Sequence, residues 1–256
     1  MAAGLVLYDL LYLSLAALLY GGAFWSMWHT AASLSGNMIS PFIFGPIAAL
    51  AGLLILILEV AILTALCPRL KPGRYALMKS AVFYGWIFRS MLRRVLLLPS
   101  LKWILFNSNV LRWLSLRAMG ARIAFTASIS SDVDILDPSL TEIGAGSIVG
   151  ARCGLSCHYL LPGLLVLDPI RIGRRAVLAA DVAAGPGVTV GDGALVKPRS
   201  LLNIRARIGA NAEVGPSAII DALAEVGAGA NVPTGALVAA KSIVPPRVAE
   251  AGEETS

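Results

Sequence analysis

Two apolar patterns divide this chain. From Ile172 to Val244 every sixth residue is a core position: Ile172, Leu178, Ala184, Val190, Val196, Leu202, Ile208, Val214, Ile220, Val226, Val232, Val238 and Val244. Twelve of these thirteen are Leu, Ile or Val, and a small residue follows four positions later, as at Ala176, Ala194, Ala206, Ala212, Ala218 and Ala224. A helix repeats about every 3.6 residues and a strand about every 2, so neither yields a strict six. A parallel β-helix does, because each flat face uses one hexapeptide and then turns a corner. Twelve unbroken hexads make four turns of a triangular prism. Gly173, Gly185, Gly191, Gly209, Gly215 and Gly227 follow the aliphatic residue and are expected to ease tight backbone at the corners.

The pattern begins earlier and is interrupted. Ile143, Val149 and Leu155 are in register, while Ile123 and Ile129 begin the series less cleanly, with a bulge expected near Asp137-Pro138. The step from Leu155 to Ile172 is seventeen positions, where three hexads need eighteen. That break holds His158 and the apolar residues 159–167. A register that fails beside the prism's only histidine points to a site there.

The second pattern is continuous hydrophobicity. Residues 5–28 and 42–67 are long apolar runs, with Asp9 and Glu59 as their only acids, and each reaches the roughly 20 residues that cross a bilayer core. The first run lacks a basic n-region and reads as a retained anchor. The linker at residues 30–41 carries no charge, whereas Lys and Arg appear at once after Cys67. The positive-inside rule then leaves everything after Cys67 in the cytoplasm, at a bacterial inner membrane.

Composition fits this picture, with 57% hydrophobic and 14% charged residues. The net +6 is unevenly placed: residues 60–131 hold eleven basic residues and no acid, interleaved with Tyr75, Trp86, Trp103 and Trp113. Basic helices of this kind lie in the headgroup layer of anionic leaflets, which makes membrane lipid the expected partner and nucleic acid not one. Two such helices are expected near residues 75–97 and 100–119, divided at Pro99. The domains are therefore 1–67, a transmembrane hairpin; 68–122, basic interfacial helices; 123–244, the β-helix; and 245–256, an acidic tail without hexads, expected to be disordered.

With these residues in hand, the chain resembles the hexapeptide-repeat acyltransferases. The resemblance is carried by Gly154-Leu155-Ser156-Cys157-His158, Pro169-Ile170-Arg171-Ile172-Gly173, and the run from Gly185 to Asp192. It implies a left-handed β-helix, a homotrimer with sites between neighbouring prisms, an acyl thioester as co-substrate with no bound cofactor, and His158 as general base. A narrower resemblance covers roughly residues 42–244. It rests on residues 68–75, 114–123 and 132–144, and is similar to the membrane-linked C-terminal region of poly-lysine-synthetase-type nonribosomal peptide synthetases. It implies an aminoacyl or other acyl group presented by a carrier protein. In that family acidic residues follow the histidine, whereas Tyr159 and leucines follow it here.

The candidate residues follow. An imidazole titrates near neutral pH and can take a proton from an attacking hydroxyl or amine, which suits His158. Arg171, Arg174, Arg175, Lys197, Arg199, Arg205 and Arg207 cluster in successive coils and could hold CoA phosphates. Asn203 replaces the usual Gly or Ala after an aliphatic; it is either a polar contact for the donor or a corner-stabilising residue. Tyr159, Leu164 and Leu165 could line an acyl chain, and Glu59, a carboxylate inside a span, could meet a lipid headgroup. Cys153 reads as core filler. Cys157 should point outward beside His158, so a Cys-His nucleophile is conceivable. Three cysteines make no disulfide framework, two histidines are too few for a three-histidine metal site, and no Cys-x-x-Cys pair suggests zinc.

The function expected from the sequence is a membrane-bound acyltransferase. It would move an acyl group from CoA or a carrier to a hydroxyl or amine of a lipid-linked or amphiphilic acceptor. The alternative is a non-catalytic, membrane-anchored trimeric module that binds a carrier protein or partner enzyme, a reading kept open by a histidine with no acid near it in sequence.

Overall fold

The computed structural model describes residues 2–34 and 41–247. Half of the uncharged linker, the tail from residue 248 and the side chain of Asp9 lie outside the described residues. The chain forms two compact units. One takes the chain up to Pro68 together with Gly85–Gly120; the other takes Arg69–Tyr84 and the chain from Ala121. The segment read as a single basic collar is thus divided between them.

The second unit is the prism. Ile172 pairs in parallel with Val190, and Val190 with Ile208, so eighteen residues make one turn. Three faces result, with seven, six and six strands. The first runs from Arg122–Ile123 to Ile243–Val244, the second from Ser128–Ile129 to Asn231–Val232, and the third from Asp134–Ile135 to Leu237–Val238. This is a parallel solenoid of about seven turns that matches a left-handed β-helix. Most strands have two residues, one pointing in and one out, so each coil contributes one aliphatic per face to the interior. Leu178, Val196, Leu202, Val214, Ile220 and Val226 are fully buried, and so are Ala176, Ala194, Ala206, Ala212, Ala218 and Ala224 at the corners. Each such aliphatic contributes roughly 1.5–3 kcal/mol by leaving water.

The glycines serve a different purpose from the one expected. The left-handed backbone lies three positions after each aliphatic, at Arg175, Asp181, Gly187, Gly193, Arg199, Arg205 and their successors. The glycines directly after the aliphatic have no positive φ, but a Cβ at any of them except Gly185 would strike the next coil. At Gly209 it would lie 2.5 Å from the Ala228 nitrogen, and at Gly191 2.6 Å from that of Ala210. Close coil stacking, not backbone strain, selects glycine at this position.

The first unit is helical. α1 (Ala2–Leu34) and α2 (Pro41–Leu66) contain spans, Leu10–Ser33 and Pro46–Leu66, long and apolar enough to cross a membrane. Small residues bring them together, with Gly52 facing the Ala23 carbonyl. Instead of two basic helices there are three, α3 (Ala81–Leu96), α4 (Pro99–Asn107) and α5 (Asn109–Ala118). Residues 75–80 are not helical, because Gly73–Ala76 is a β-strand. Pro99 opens α4, and Ser108 ends it and caps α5 by accepting from the Leu111 N–H at 3.4 Å.

Two basic residues of the collar turn inward. Arg89 donates to the carbonyls of Thr64, Cys67 and Pro68 at 3.1–3.2 Å, closing the C-terminal end of α2. Arg112 is buried and donates to the Phe106 carbonyl at 2.9 Å. Burial holds both guanidinium groups below their usual range.

Candidate active site

The two irregular stretches of the sequence fall at the same corner of the prism. Ile135 and Leu155 are stacked partners on the third face, and Thr141–Ile143 and Ile170–Ile172 are stacked partners on the first. A regular coil crosses this corner in six residues. The earlier coil takes eight (143 − 135) and the later one seventeen (172 − 155). The break is therefore an insertion of eleven residues into one hexad (17 − 6), and not a shortening of three. The extra residues of the earlier coil form a 3-10 turn, Pro138–Leu140, after Asp137. Those of the later coil form an antiparallel hairpin, His158–Leu161 with Leu164–Leu167. Gly73–Ala76 adds itself to the free edge of Leu164–Leu167, completing a three-stranded sheet.

Stacking brings together residues that are twenty-one positions apart. Asp137 Oδ2 lies 2.6 Å from His158 Nδ1 and accepts the Cys157 backbone N–H at 3.0 Å. Asp137 is buried, and the His158 side chain is 21% exposed. With the carboxylate accepting from Nδ1–H, the ring's basic lone pair lies on Nε2, the atom that can take a proton. The support is dense: Thr141 Oγ1 donates to the Asp137 carbonyl at 3.0 Å, and Ser156 Oγ to the His158 carbonyl at 2.9 Å. A histidine oriented by a buried carboxylate has the geometry that acid–base chemistry needs. The ground for a non-catalytic reading, a histidine without an acidic partner, does not survive.

Cys157 points inward, contrary to expectation. Its thiol is fully buried, donates to the Leu140 carbonyl at 3.4 Å and lies 3.5 Å from Thr141 Oγ1. Burial pushes its pKa up to about 12. A thiol this hard to ionise is no nucleophile. Cys153 is core, as expected, donating to the Ala179 carbonyl at 3.0 Å.

A groove of about 490 Å³ runs down the prism from the hairpin's base, lined by Asp168, Arg171, Thr189, Arg205, Arg207 and Glu225 among others. Asp168 donates its N–H to the Cys157 carbonyl at 2.8 Å and accepts from Arg205 Nε through Oδ2. Tyr159 lies close enough to Arg205 to act on it electrostatically. Of the basic residues singled out from the sequence, only Arg171, Arg205 and Arg207 share this groove. Arg174 pairs with Asp192 at 3.0 Å and Lys197 with Glu213 at 3.0 Å, each on another corner, and Arg199 sits at a left-handed corner position. Residues six or twelve apart point in different directions around the prism; only those eighteen apart stack. Asn203 is the corner-stabilising kind, its Nδ2 donating to Asp221 Oδ1 at 2.9 Å. Leu165 is fully buried and so does not line an open acyl-chain surface, while Leu164 is half-buried. Glu59 belongs to the helical unit, where its Oε1 lies so close to Gly22 that a Cβ there would sit 2.6 Å from it. Its Oε2 is buried without a hydrogen-bond partner among the described residues. No group of three or more His, Cys, Asp or Glu able to hold a metal occurs among the described residues.

Asp137 and Asp168 were not singled out in the sequence. The signal for Asp137 was present, since Ile135 to Ile143 is two residues too long, but it could be used only once the two coils were stacked.

Neither a protein-family model nor a curated protein matches the chain. Solved structures do. The acetyltransferase domain of PglB from Neisseria gonorrhoeae, in complex with acetyl coenzyme A, is 20% identical over 52% of this chain and 63% of that one, with a TM-score of 0.36. A perosamine N-acetyltransferase mutant from Caulobacter crescentus, with CoA and GDP-perosamine, is 21% identical over 50% and 60%, TM-score 0.22. Serine acetyltransferase from Neisseria gonorrhoeae, in complex with serine, is 15% identical over 88% and 80%, TM-score 0.27. This chain thus spans less than two thirds of the PglB domain's length.

Proposed function

We propose that this protein is an acyltransferase with His158 as its general base. The observation that carries the reading is the 2.6 Å contact between His158 Nδ1 and the buried Asp137 carboxylate, in a break that ends at Asp168, which lines a groove with Arg171, Arg205 and Arg207. The acyl donor is a thioester of CoA or of a carrier protein, and the acyl group is acetyl, longer, or aminoacyl. The acceptor hydroxyl or amine attacks the thioester carbonyl while Nε2 takes its proton. The tetrahedral intermediate then expels the thiolate, which recovers that proton from Nε2–H and leaves as the free thiol. Asp137 holds the ring in the productive tautomer and stabilises the imidazolium between the two transfers. Arg171, Arg205 and Arg207 offer charge for donor phosphates.

The acceptor in this reading is lipid-linked or amphiphilic, and the spans hold the prism at the cytoplasmic face of a bacterial inner membrane. Assembly is as a homotrimer through prism faces. The outward residues of the third face support this, since Leu201, Ile219 and Leu237 form an exposed aliphatic column. The test is thiol release from acyl-CoA and from acyl-carrier protein, with and without lipid extract, by wild type and His158→Ala. Turnover by wild type alone is expected, and equal rates for the two would refute the mechanism. Mass measurement in detergent should return a trimer; a monomer alone would refute the assembly.

A further inference from the structure

We infer that the prism unit carries its own membrane-contact patch, built on the hairpin that positions His158, and that its partner is an anionic bilayer surface. The tip of the hairpin holds Leu160 and Leu161, 55% and 44% exposed. Beside it stands a second segment from far earlier in the chain. The Leu77 N–H donates to the Gly163 carbonyl at 3.0 Å, which fixes the turn after Gly73–Ala76 against the hairpin's turn. That turn presents Met78, 68% exposed, and the start of α3 just after it presents Tyr84, 57% exposed, whose hydroxyl donates to the Met78 carbonyl at 2.8 Å. Two ordered segments therefore place four large apolar or aromatic side chains in water at one end of one small sheet. A soluble surface seldom collects such a group without a use for it.

The surrounding charge selects the occupant. Arg74, in the strand beside the hairpin, and Lys79, directly after Met78, are exposed, and neither residues 60–131 nor residues 150–167 contain a single acid. Aliphatic and methionine side chains with a tyrosine and a cationic rim are the composition of a surface that dips into a headgroup layer. A protein partner of ordinary mixed charge would leave that rim unmatched. The chain reaches Gly73 only seven residues after α2 ends at Leu66, so the patch is tethered within reach of a bilayer if α2 spans one. The inference deepens the proposed function and rests on its membrane reading. It implies that an amphiphilic acceptor meets His158 from the headgroup layer, along the hairpin, without leaving the leaflet.

The experiment uses the full chain in liposomes of phosphatidylglycerol and phosphatidylcholine. Cys67→Ser leaves Cys153 and Cys157, both buried, and Leu161→Cys then carries an environment-sensitive fluorophore. Met78→Cys is an independent second position from the other segment, and Leu58→Cys on α2 reports separately on whether that helix lies in lipid. A nitroxide near the top of the lipid acyl chain should quench both patch labels to about half or less, as for groups roughly 5–10 Å into the interface. Iodide in the water should do little. Quenching should weaken when phosphatidylglycerol is omitted; equal quenching in neutral lipid would overturn the anionic assignment. Patch labels open to iodide and untouched by the nitroxide would overturn the proposal, and labels shielded from both would overturn it in favour of a protein neighbour. If Leu58 is quenched and the patch is not, the spanning reading stands and this inference falls; if neither is quenched, both fall.

Discussion

Two corners of the same prism make different use of one repeat. Between the second and third faces, five successive coils turn through Arg152, Asp181, Arg199, Ser217 and Gly235, each with a positive φ and each three residues after its aliphatic. Between the third and first faces, the later coils turn in the same way, through Gly187, Arg205, Leu223 and Lys241. The two coils before them carry insertions instead, one giving Asp137 and the other His158. The regular corner shows what hexads secure alone: a core, a fixed rise and salt bridges such as Arg152–Asp181 at 2.7 Å. The irregular corner shows what that regularity permits. Because every other coil is in register, two insertions that share nothing in sequence are delivered to one place, close enough for a hydrogen bond. A scaffold with a looser repeat would not hold a 2.6 Å contact between residues on different turns.

The largest break in this comparison comes from His158→Ala, which should lower turnover by about two to four orders of magnitude while thermal unfolding stays unchanged. Asp137→Asn should follow with a loss of about a hundredfold or more in kcat and an unchanged KM for the donor, since Asp137 positions the base and does not touch substrate. An equal change in KM would show that it holds only the loop.

Changes at regular positions should do the reverse, lowering stability with no selective effect on chemistry. Leu178→Ala removes a fully buried side chain and should cost about 2–5 kcal/mol by denaturant unfolding. Gly209→Ala, which presses a Cβ onto the next coil, should cost about 1–3 kcal/mol.

The smallest effects separate bystanders from participants. Arg205→Ala should raise the donor KM several-fold, whereas Arg174→Ala and Lys197→Ala, on other corners, should leave it unchanged. Cys157→Ala should keep activity within a few-fold of wild type, and the native thiol should resist alkylation at mildly alkaline pH while Cys67 reacts. The same thiol has a signed effect on stability. Its folded pKa is raised to about 12, so the folded state favours the protonated form. That contribution is complete below the ordinary thiol range and is lost as pH climbs from there towards 12.

Much of the fold was legible because it obeys one strict period over many repeats. Strand positions, interior residues and even the disturbance at Asp137-Pro138 could be read from spacing. His158 was legible as the histidine inside a break. What could not be read was stacking across the break. The seventeen-residue step looked like three hexads less one, and only pairing of Thr141–Ile143 with Ile170–Ile172 shows it to be one hexad plus eleven. The cationic cluster misled for a related reason, since nearness in sequence on a prism means a different corner. The strand Gly73–Ala76 overlapped the start of what looked like an amphipathic helix, because its β-partner is some ninety residues further on and leaves no local trace.

That strand has a consequence for how the protein is made. It leaves the ribosome before the segment it pairs with, Leu164–Leu167, has been synthesised. The site's sheet is therefore completed late, by a segment made directly after α2. A fragment begun at Ala121 to obtain a free prism would lack this strand and offer the open edge of Leu164–Leu167, and Leu165 with it, to other chains. A fragment begun at Arg69 also keeps α3 to α5 but retains the strand that closes that edge.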